Sequence, residues 1–248
     1  MKIDIMTLFP EMCEAFLNES IIGRARKNGY INVDCHNIRD YTTDKHNRVD
    51  DAPYGGGQGM LMQPQPIYDC FNHIVEKNGK RPHLIYMSPK GKVLTQQRAI
   101  ELSQSDGFAI LCGHYEGVDQ RLLDKIVDEE ISIGDYVLTG GELPALVLVD
   151  SVARLCDGVL SAEESFTDES HYSGLLEYPQ YTRPPVWEGM EVPEILRSGH
   201  HKNISEWQRK KAIEETFKYR KDMLEKADLT DKEREYLEEL RQNELSNL

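Results

Sequence analysis

Three short apolar runs, each closed by a glycine-bearing polar loop, limit what this chain can fold into more than any other feature. His83–Met87 (HLIYM) runs into Ser88-Pro89-Lys90-Gly91. Phe108–Cys112 (FAILC) runs into Gly113-His114-Tyr115-Glu116-Gly117, and a shorter run over 126–131 leads into Ile133–Glu142 (IGDYVLTGGE). Runs of this length predict strands covered on both faces. Helices are expected between and around them: near 11–27, near 64–78, over 96–105 with Thr95 as N-cap, and from Pro144 to about Leu155. Strands at 2–8 and 31–36 precede them. The alternation predicts an α/β domain with a mostly parallel sheet. Residues 40–64 are turn-rich and hold Tyr54–Met60 (YGGGQGM), a long loop that a compact domain carries only for a reason.

In open α/β sheets, ligands lie at the carboxyl ends of strands where the strand order reverses. Glycine there lets the backbone come close to a ligand. A plain βα turn gives the same pattern in any one loop; three in one half-chain point towards a ligand. Neither G-x-G-x-x-G nor a P-loop lysine motif is present. A nucleoside ligand without phosphates, such as S-adenosylmethionine, therefore fits better than ATP or NAD.

Residues 157–177 hold six acids and no Lys or Arg, without helical period, and read as an inter-domain linker. Residues 178–199 are proline-rich. From Ile204 the chain reads as helical, with Ile204, Trp207, Lys211 and Phe217 on one face, and 230–245 as a charged amphipathic helix. The expected division is 1–160 for the α/β domain, 161–176 for the linker and 177–248 for a small all-α domain. A net charge of −14 argues against nucleic acid taken as a sum, but residues 197–226 hold nine Lys/Arg against five Asp/Glu. Composition thus permits an RNA ligand without suggesting one. Five scattered cysteines without C-x-x-C argue against a disulfide framework or a structural zinc site. No stretch is apolar enough to span a bilayer, and the start lacks a signal-peptide pattern, so the cytoplasm is the expected location.

Seven segments, in order, resemble one family. They are Met1–Pro10 (MKIDIMTLFP), Asp50–Met60 (DDAPYGGGQGM), Ser88–Gly91, Cys112–Gly117 (CGHYEG), Glu129–Pro144 (EEISIGDYVLTGGELP), Gly174–Pro184 (GLLEYPQYTRP) and Val192–His200 (VPEILRSGH). The chain resembles the bacterial tRNA (guanine-37-N1)-methyltransferases of the knotted SPOUT class. The resemblance implies a deep trefoil knot in the sheet domain, S-adenosylmethionine as cofactor, tRNA as substrate and an obligate homodimer with shared active sites. It implies that Met87, Pro89, Gly113, Glu116, Gly117, Ile133, Gly134, Asp135, Tyr136, Val137, Leu138, Gly140 and Gly141 form the cofactor site. Core packing is the other reading of Ile133, Val137 and Leu138. Family members can depend on Mg²⁺, but no ligand cluster in the sequence locates a metal.

N1 of guanine carries a proton at neutral pH, so methyl transfer to it needs a base, and the charge developing on O6 needs a cation. Arg154 is the cation that the resemblance implies; its spacing from Asp150 equally fits a surface pair on one helix. The family pattern Asp-Ser-Phe, counted back from Gly174, falls on Glu169-Ser170-His171, which makes Glu169 the expected base. Asp168, and Glu164 of Glu164-Ser165-Phe166, compete with it. Asp50, Tyr54, Gly55 and Gly59 are expected to receive the flipped guanine, and Tyr181 and Arg183 to contact the RNA. Packing of the linker and a solvated helix face would account for Tyr181, Arg183 and the 200–211 stretch equally well. A relative that binds RNA without catalysis, or one that acts on ribose 2′-OH, would share much of this pattern.

Overall fold

The apolar alternation becomes strands β1 (Lys2–Thr7), β2 (Asn32–Asn37), the two-residue β3 (Asp50–Asp51) and β4 (Leu61–Met62), β5 (His83–Val93), β6 (Gly107–Cys112) and β7 (Glu129–Ser132). β3 and β4 pair with each other as a separate two-stranded ribbon. The other five form one parallel sheet in the order β2-β1-β6-β5-β7. The computed structural model describes residues 1–160, 170, 171 and 174–246.

Helices cover both faces of the sheet. Ile3, Ile5, Ile85, Met87 and Ile110 pack against α1 (Pro10–Leu17), α2 (Ser20–Lys27), α4 (Gln96–Ser103) and α6 (Glu142–Ala153). Met6, Leu84, Tyr86, Ala109 and Leu111 face α3 (Pro64–Asn78) and α5 (Gln120–Ile126). Two covered faces explain why the strands read as unbroken apolar runs. Each fully buried Ile or Leu contributes roughly 1.5–3 kcal/mol.

Local chemistry sets the element ends. Thr95 caps α4 as expected, its hydroxyl accepting the Arg98 N–H at 3.2 Å. The single helix expected over 11–27 is two. Ser20 adopts φ +53, and Gly23 packs against the Asn18 backbone where a side chain would collide. Arg26 then ties α2 to α1 through Glu14 (2.8 and 3.1 Å) and to β2 through the Val33 carbonyl (2.8 Å). The strand expected over 126–131 starts later. Residues 120–126 are helical because Asp119 caps them, accepting the Arg121 N–H at 2.9 Å, while Leu122, Leu123 and Ile126 share the buried face. Residues 88–91 are an irregularity inside β5, which pairs with β7 on both sides of it. Gly91 is required there: a Cβ would lie 2.5 Å from the Glu130 carbonyl and the Ile131 nitrogen.

The chain separates into two units, Met1–Ala162 and Glu163–Leu248. The second holds a short hairpin, β8 (Val186–Trp187) with β9 (Met190–Glu191), and helices α7 (Glu194–Arg197), α8 (His201–Tyr219), α9 (Lys221–Leu224) and α10 (Asp231–Ser246). Its core is Ala212, Ile213, Leu224, Ala227, Leu229 and Leu237, joined by Leu175. The buried stripe of α8 is Ala212, Ile213 and Thr216, with Phe217 packed at its margin; Ile204, Trp207 and Lys211 are only half-buried. Leu175 and Leu176, expected in the linker, are fastened to this unit. The Leu176 N–H donates to the Thr216 hydroxyl at 2.8 Å.

Candidate active site

The chain passes from β5 to β6 on one side and then crosses back over β5 to β7 on the other, so strand order reverses there. At the carboxyl ends of these three strands lies a cleft of about 470 Å³. All three loops singled out in the sequence line it. Met87, Pro89, Gly113, Glu116, Gly117, Ile133, Gly134, Tyr136, Val137, Leu138, Gly140 and Gly141 border the cleft. Asp135 belongs to the same loop but is exposed and does not border it.

Main-chain contacts hold the loops together. The Gly141 N–H donates to the Gly113 carbonyl at 2.8 Å, and His114 bridges to Gly140. A Cβ on Gly141 would lie 2.7 Å from Cys112 Cα and 2.9 Å from the Gly113 nitrogen, so only glycine allows this approach. The Ser132 hydroxyl donates to the Gly134 carbonyl and accepts the Gly134 N–H, both at 3.1 Å. Core packing accounts for Ile133, which is half-buried against the sheet, but not for the rim. Val137 is 86% exposed and Leu138 39%. An apolar rim left open beside main-chain polar groups is what a flat nucleoside requires.

Polar side chains surround the apolar walls. Thr7 donates to Glu142 Oε1 at 2.8 Å, both buried, with Glu142 opening α6. Among the described residues, buried His114 Nδ1 has no hydrogen-bond partner, nor has Glu130 Oε2. Burial, and then the Glu130 carboxylate, push the Tyr86 phenol up from its ordinary pKa, so Tyr86 stays a neutral hydroxyl in the cleft wall. Tyr115 has φ +58, a conformation that costs a side-chain-bearing residue about 1–3 kcal/mol. Tyr86, His114, Tyr115 and Ser132 all border the cleft without having been read from the sequence as site residues. His114 and Tyr115 lie inside a motif that was read, whereas Tyr86 looks like plain strand core.

The expected guanine surface sits beside the cleft. The Met62 N–H donates to the Gly117 carbonyl (2.9 Å) and the Glu116 N–H to the Met60 carbonyl (2.9 Å), so β4 is laced to the 113–119 loop. Gly59 packs against the Glu116 side chain, Asp50 is in β3, Gly55 is exposed and Tyr54 is 100% exposed. Tyr181 and Arg183 belong to the second unit and are exposed. Glu164, Asp168 and Glu169 lie outside the described residues. Arg154 follows directly on α6, its N–H on the Asp150 carbonyl at 3.3 Å. It does not border the cleft. Twelve residues of helix separate it from the Gly140–Gly141 wall, or about 18 Å at 1.5 Å per residue.

Among the described residues one group has metal-ligand types together, Asp4, Asp34 and His36. It sits on β1 and β2, and none of the three borders the cleft. Its oxygens are already used: Asp4 by His36 (2.7 Å) and Asn78 (2.8 Å), Asp34 by Lys77 (2.9 Å). An imidazole and a lysine ammonium do not suit Mg²⁺, which prefers oxygen ligands.

Comparison with known proteins points to one family. The family model for tRNA (Guanine-1)-methyltransferase TrmD matches residues 1–226. A tRNA (guanine-N(1)-)-methyltransferase of Ruminiclostridium cellulolyticum is 57% identical over 226 residues, covering 91% of this chain and 97% of the relative. One of Alkaliphilus oremlandii is 54% identical over 246 residues, covering 97% and 99%. The crystal structure of tRNA (m1G37) methyltransferase from Aquifex aeolicus superimposes with a TM-score of 0.74 at 40% identity, covering 93% of this chain and 97% of that one.

Proposed function

The chain belongs to the tRNA (guanine-1)-methyltransferase family, and from that premise we propose that it methylates N1 of the guanine at position 37 of tRNA, with S-adenosylmethionine as donor, in the cytoplasm. The carrying observation is the cleft at the ends of β5, β6 and β7, with its glycine-built walls and open apolar rim. These residues fit a phosphate-free adenosine. Gly113 and the 133–138 run offer main-chain groups, Leu138, Val137 and Ile133 offer apolar cover, and the sequence carries no P-loop lysine motif. Bound there, the donor supplies a methyl carried on a positively charged sulfur. The deep trefoil knot implied by the resemblance belongs to this reading.

The chain's own groups do the rest. Glu169, with Asp168 and Glu164 as competitors, accepts the N1 proton of guanine, and Arg154 stabilises the charge that accumulates on O6. Asp50, Tyr54, Gly55 and Gly59 receive the guanine from a flipped nucleotide, and Tyr181 and Arg183 hold the RNA on the second unit. The residues around Asp4 do not fit Mg²⁺, and no step is routed through a metal.

The site is shared between two copies. Arg154 stands about 18 Å, one helix length, from its own cleft wall, too far to reach guanine held there. A second chain can supply it. Phe9 just before α1, Met12 and Phe16 on it, and Leu143 and Val147 on α6 are exposed apolar residues on two adjoining helices. That face suits a second copy.

The test is methyl transfer to tRNA transcripts carrying guanine or adenine at position 37, with N1-methylguanine detected by mass spectrometry. Transfer to guanine alone is expected, and no transfer to guanine would remove the reading. Glu169→Gln should lower kcat about 10²–10⁴-fold with donor affinity unchanged; if Asp168→Asn or Glu164→Gln does so instead, that carboxylate is the base. Mixing Arg154→Ala chains with cleft-blocked Gly141→Val chains should restore activity that neither has alone. Failure to restore it would rule out the shared site.

A further inference from the structure

Arg39 is bound in an unusual way for an arginine at this edge of the molecule. Its neighbours in the same region are paired with carboxylates: Arg48 with Asp44 at 3.0 Å and Arg121 with Asp119 at 2.6 Å. Arg39 makes no ion pair among the described residues. Its fork goes to two neutral acceptors, the Asn47 carbonyl at 3.1 Å and the Tyr115 hydroxyl at 3.3 Å. Its own N–H is held by the Asn37 side chain at 3.1 Å, which opens the short 3-10 turn Ile38–Tyr41. One cation thus ties together three segments: this turn, the 42–48 loop and the cleft loop. It keeps its full charge while doing so.

Tyr115 is the residue on which this converges. It sits in the left-handed region (φ +58), borders the cleft and is 41% exposed. Its ring lies edge-on to His114 at 4.9 Å. A strained residue persists only where its surroundings hold it, and Arg39 is the polar group holding the far end of this side chain. A guanidinium has five donors in a fixed fork, and two hydrogen bonds leave the rest for a phosphate.

We propose that Arg39 is a positioning residue for methyl transfer: it fixes Tyr115 at the cleft mouth and, with its unpaired charge, binds an RNA phosphate flanking the target nucleotide. This rests on the reading that a tRNA guanine enters the cleft.

The test compares Arg39→Gln, Arg39→Lys and Tyr115→Phe with wild type, using calorimetry for donor affinity, fluorescence anisotropy for an unmethylated transcript over a salt series, and steady-state kinetics. Donor affinity should be unchanged in both Arg39 variants, which also reports that each folds, and a thermal melt reports the folding of Tyr115→Phe. Arg39→Gln should raise the KM for transcript about three- to tenfold and reduce the slope of log K against log salt by about 0.7–0.9, the value for one lost phosphate contact. Arg39→Lys should keep the slope, because charge remains, but lose kcat, because a single ammonium cannot hold Tyr115 and phosphate together. Tyr115→Phe should keep the slope and share the kcat loss. An unchanged slope in Arg39→Gln overturns the phosphate contact, and unchanged kcat in both Arg39→Lys and Tyr115→Phe overturns the positioning. A wild-type protein that binds donor but no transcript overturns the functional reading along with the proposal.

Discussion

Two polar regions of the same sheet are built in opposite ways. On β1 and β2 the Asp4 carboxylate is 1% exposed and fully engaged, by His36 at 2.7 Å and Asn78 at 2.8 Å, with Lys77 closing on Asp34. At the carboxyl ends of β5, β6 and β7 the arrangement is unfinished. Among the described residues the buried His114 Nδ1 has no hydrogen-bond partner, Tyr115 is strained, and Val137 stands in the open. A buried polar group left unpaired costs about 1–3 kcal/mol, so the first region serves the fold and the second tolerates a cost within it. The difference separates polar residues engaged in the fold from those left open at the cleft.

Substitutions can break that contrast. Asp4→Ala leaves the buried His36 ring nitrogen unpaired and removes one partner of Asn78, and should cost about 2–5 kcal/mol by urea denaturation. Comparable stability to wild type would show that the network does not support the fold. Gly141→Ala places a methyl against the Cys112 and Gly113 backbone. It should cost about 1–3 kcal/mol and weaken donor binding measured by calorimetry. The acid response sharpens the comparison further. Burial pushes the Asp4 carboxyl up, but the hydrogen bonds from His36 and Asn78 outweigh it and hold the pKa below its ordinary 3.8. A pKa lower in the folded chain means that the stability is fully present above about 3.8 and is lost as pH falls through the folded value. Urea titrations from pH 5 to 3 should therefore show a steeper decline in wild type than in Asp4→Asn, on the order of a kcal/mol. The smallest effect belongs to Thr95→Ala, which removes the cap of α4 on neither region. It should lower stability by about 1 kcal/mol and leave donor affinity untouched.

Much of the cleft was legible because its loops carry glycines at short range from apolar strands. The sequence pattern around Gly113, Gly117, Gly134, Gly140 and Gly141 pointed to the residues that now border it. Tyr86 was not legible. It continues an apolar strand, and only the sheet register, which sets it opposite Glu130 just before the irregularity in β5, makes it a wall of the cleft. Nor was the break between α1 and α2, since the apolar period passes through Asn18-Glu19-Ser20 without a proline; the positive φ at Ser20 comes from how α2 folds back on α1. The helix Gln120–Ile126 was missed because Ile126 also suits a strand.

The sequence by itself determined the parallel α/β plan, the Thr95 cap, the three ligand-type loops and the family, because strand burial, capping and glycine turns are written in residues close together along the chain. Only the tertiary structure decided that β4 is laced to the 113–119 loop, that Arg154 stands a helix length from its own cleft, and that Arg39 reaches Tyr115. Those contacts join segments tens of residues apart. They exist only once sheet order and helix length are set, which no local pattern encodes.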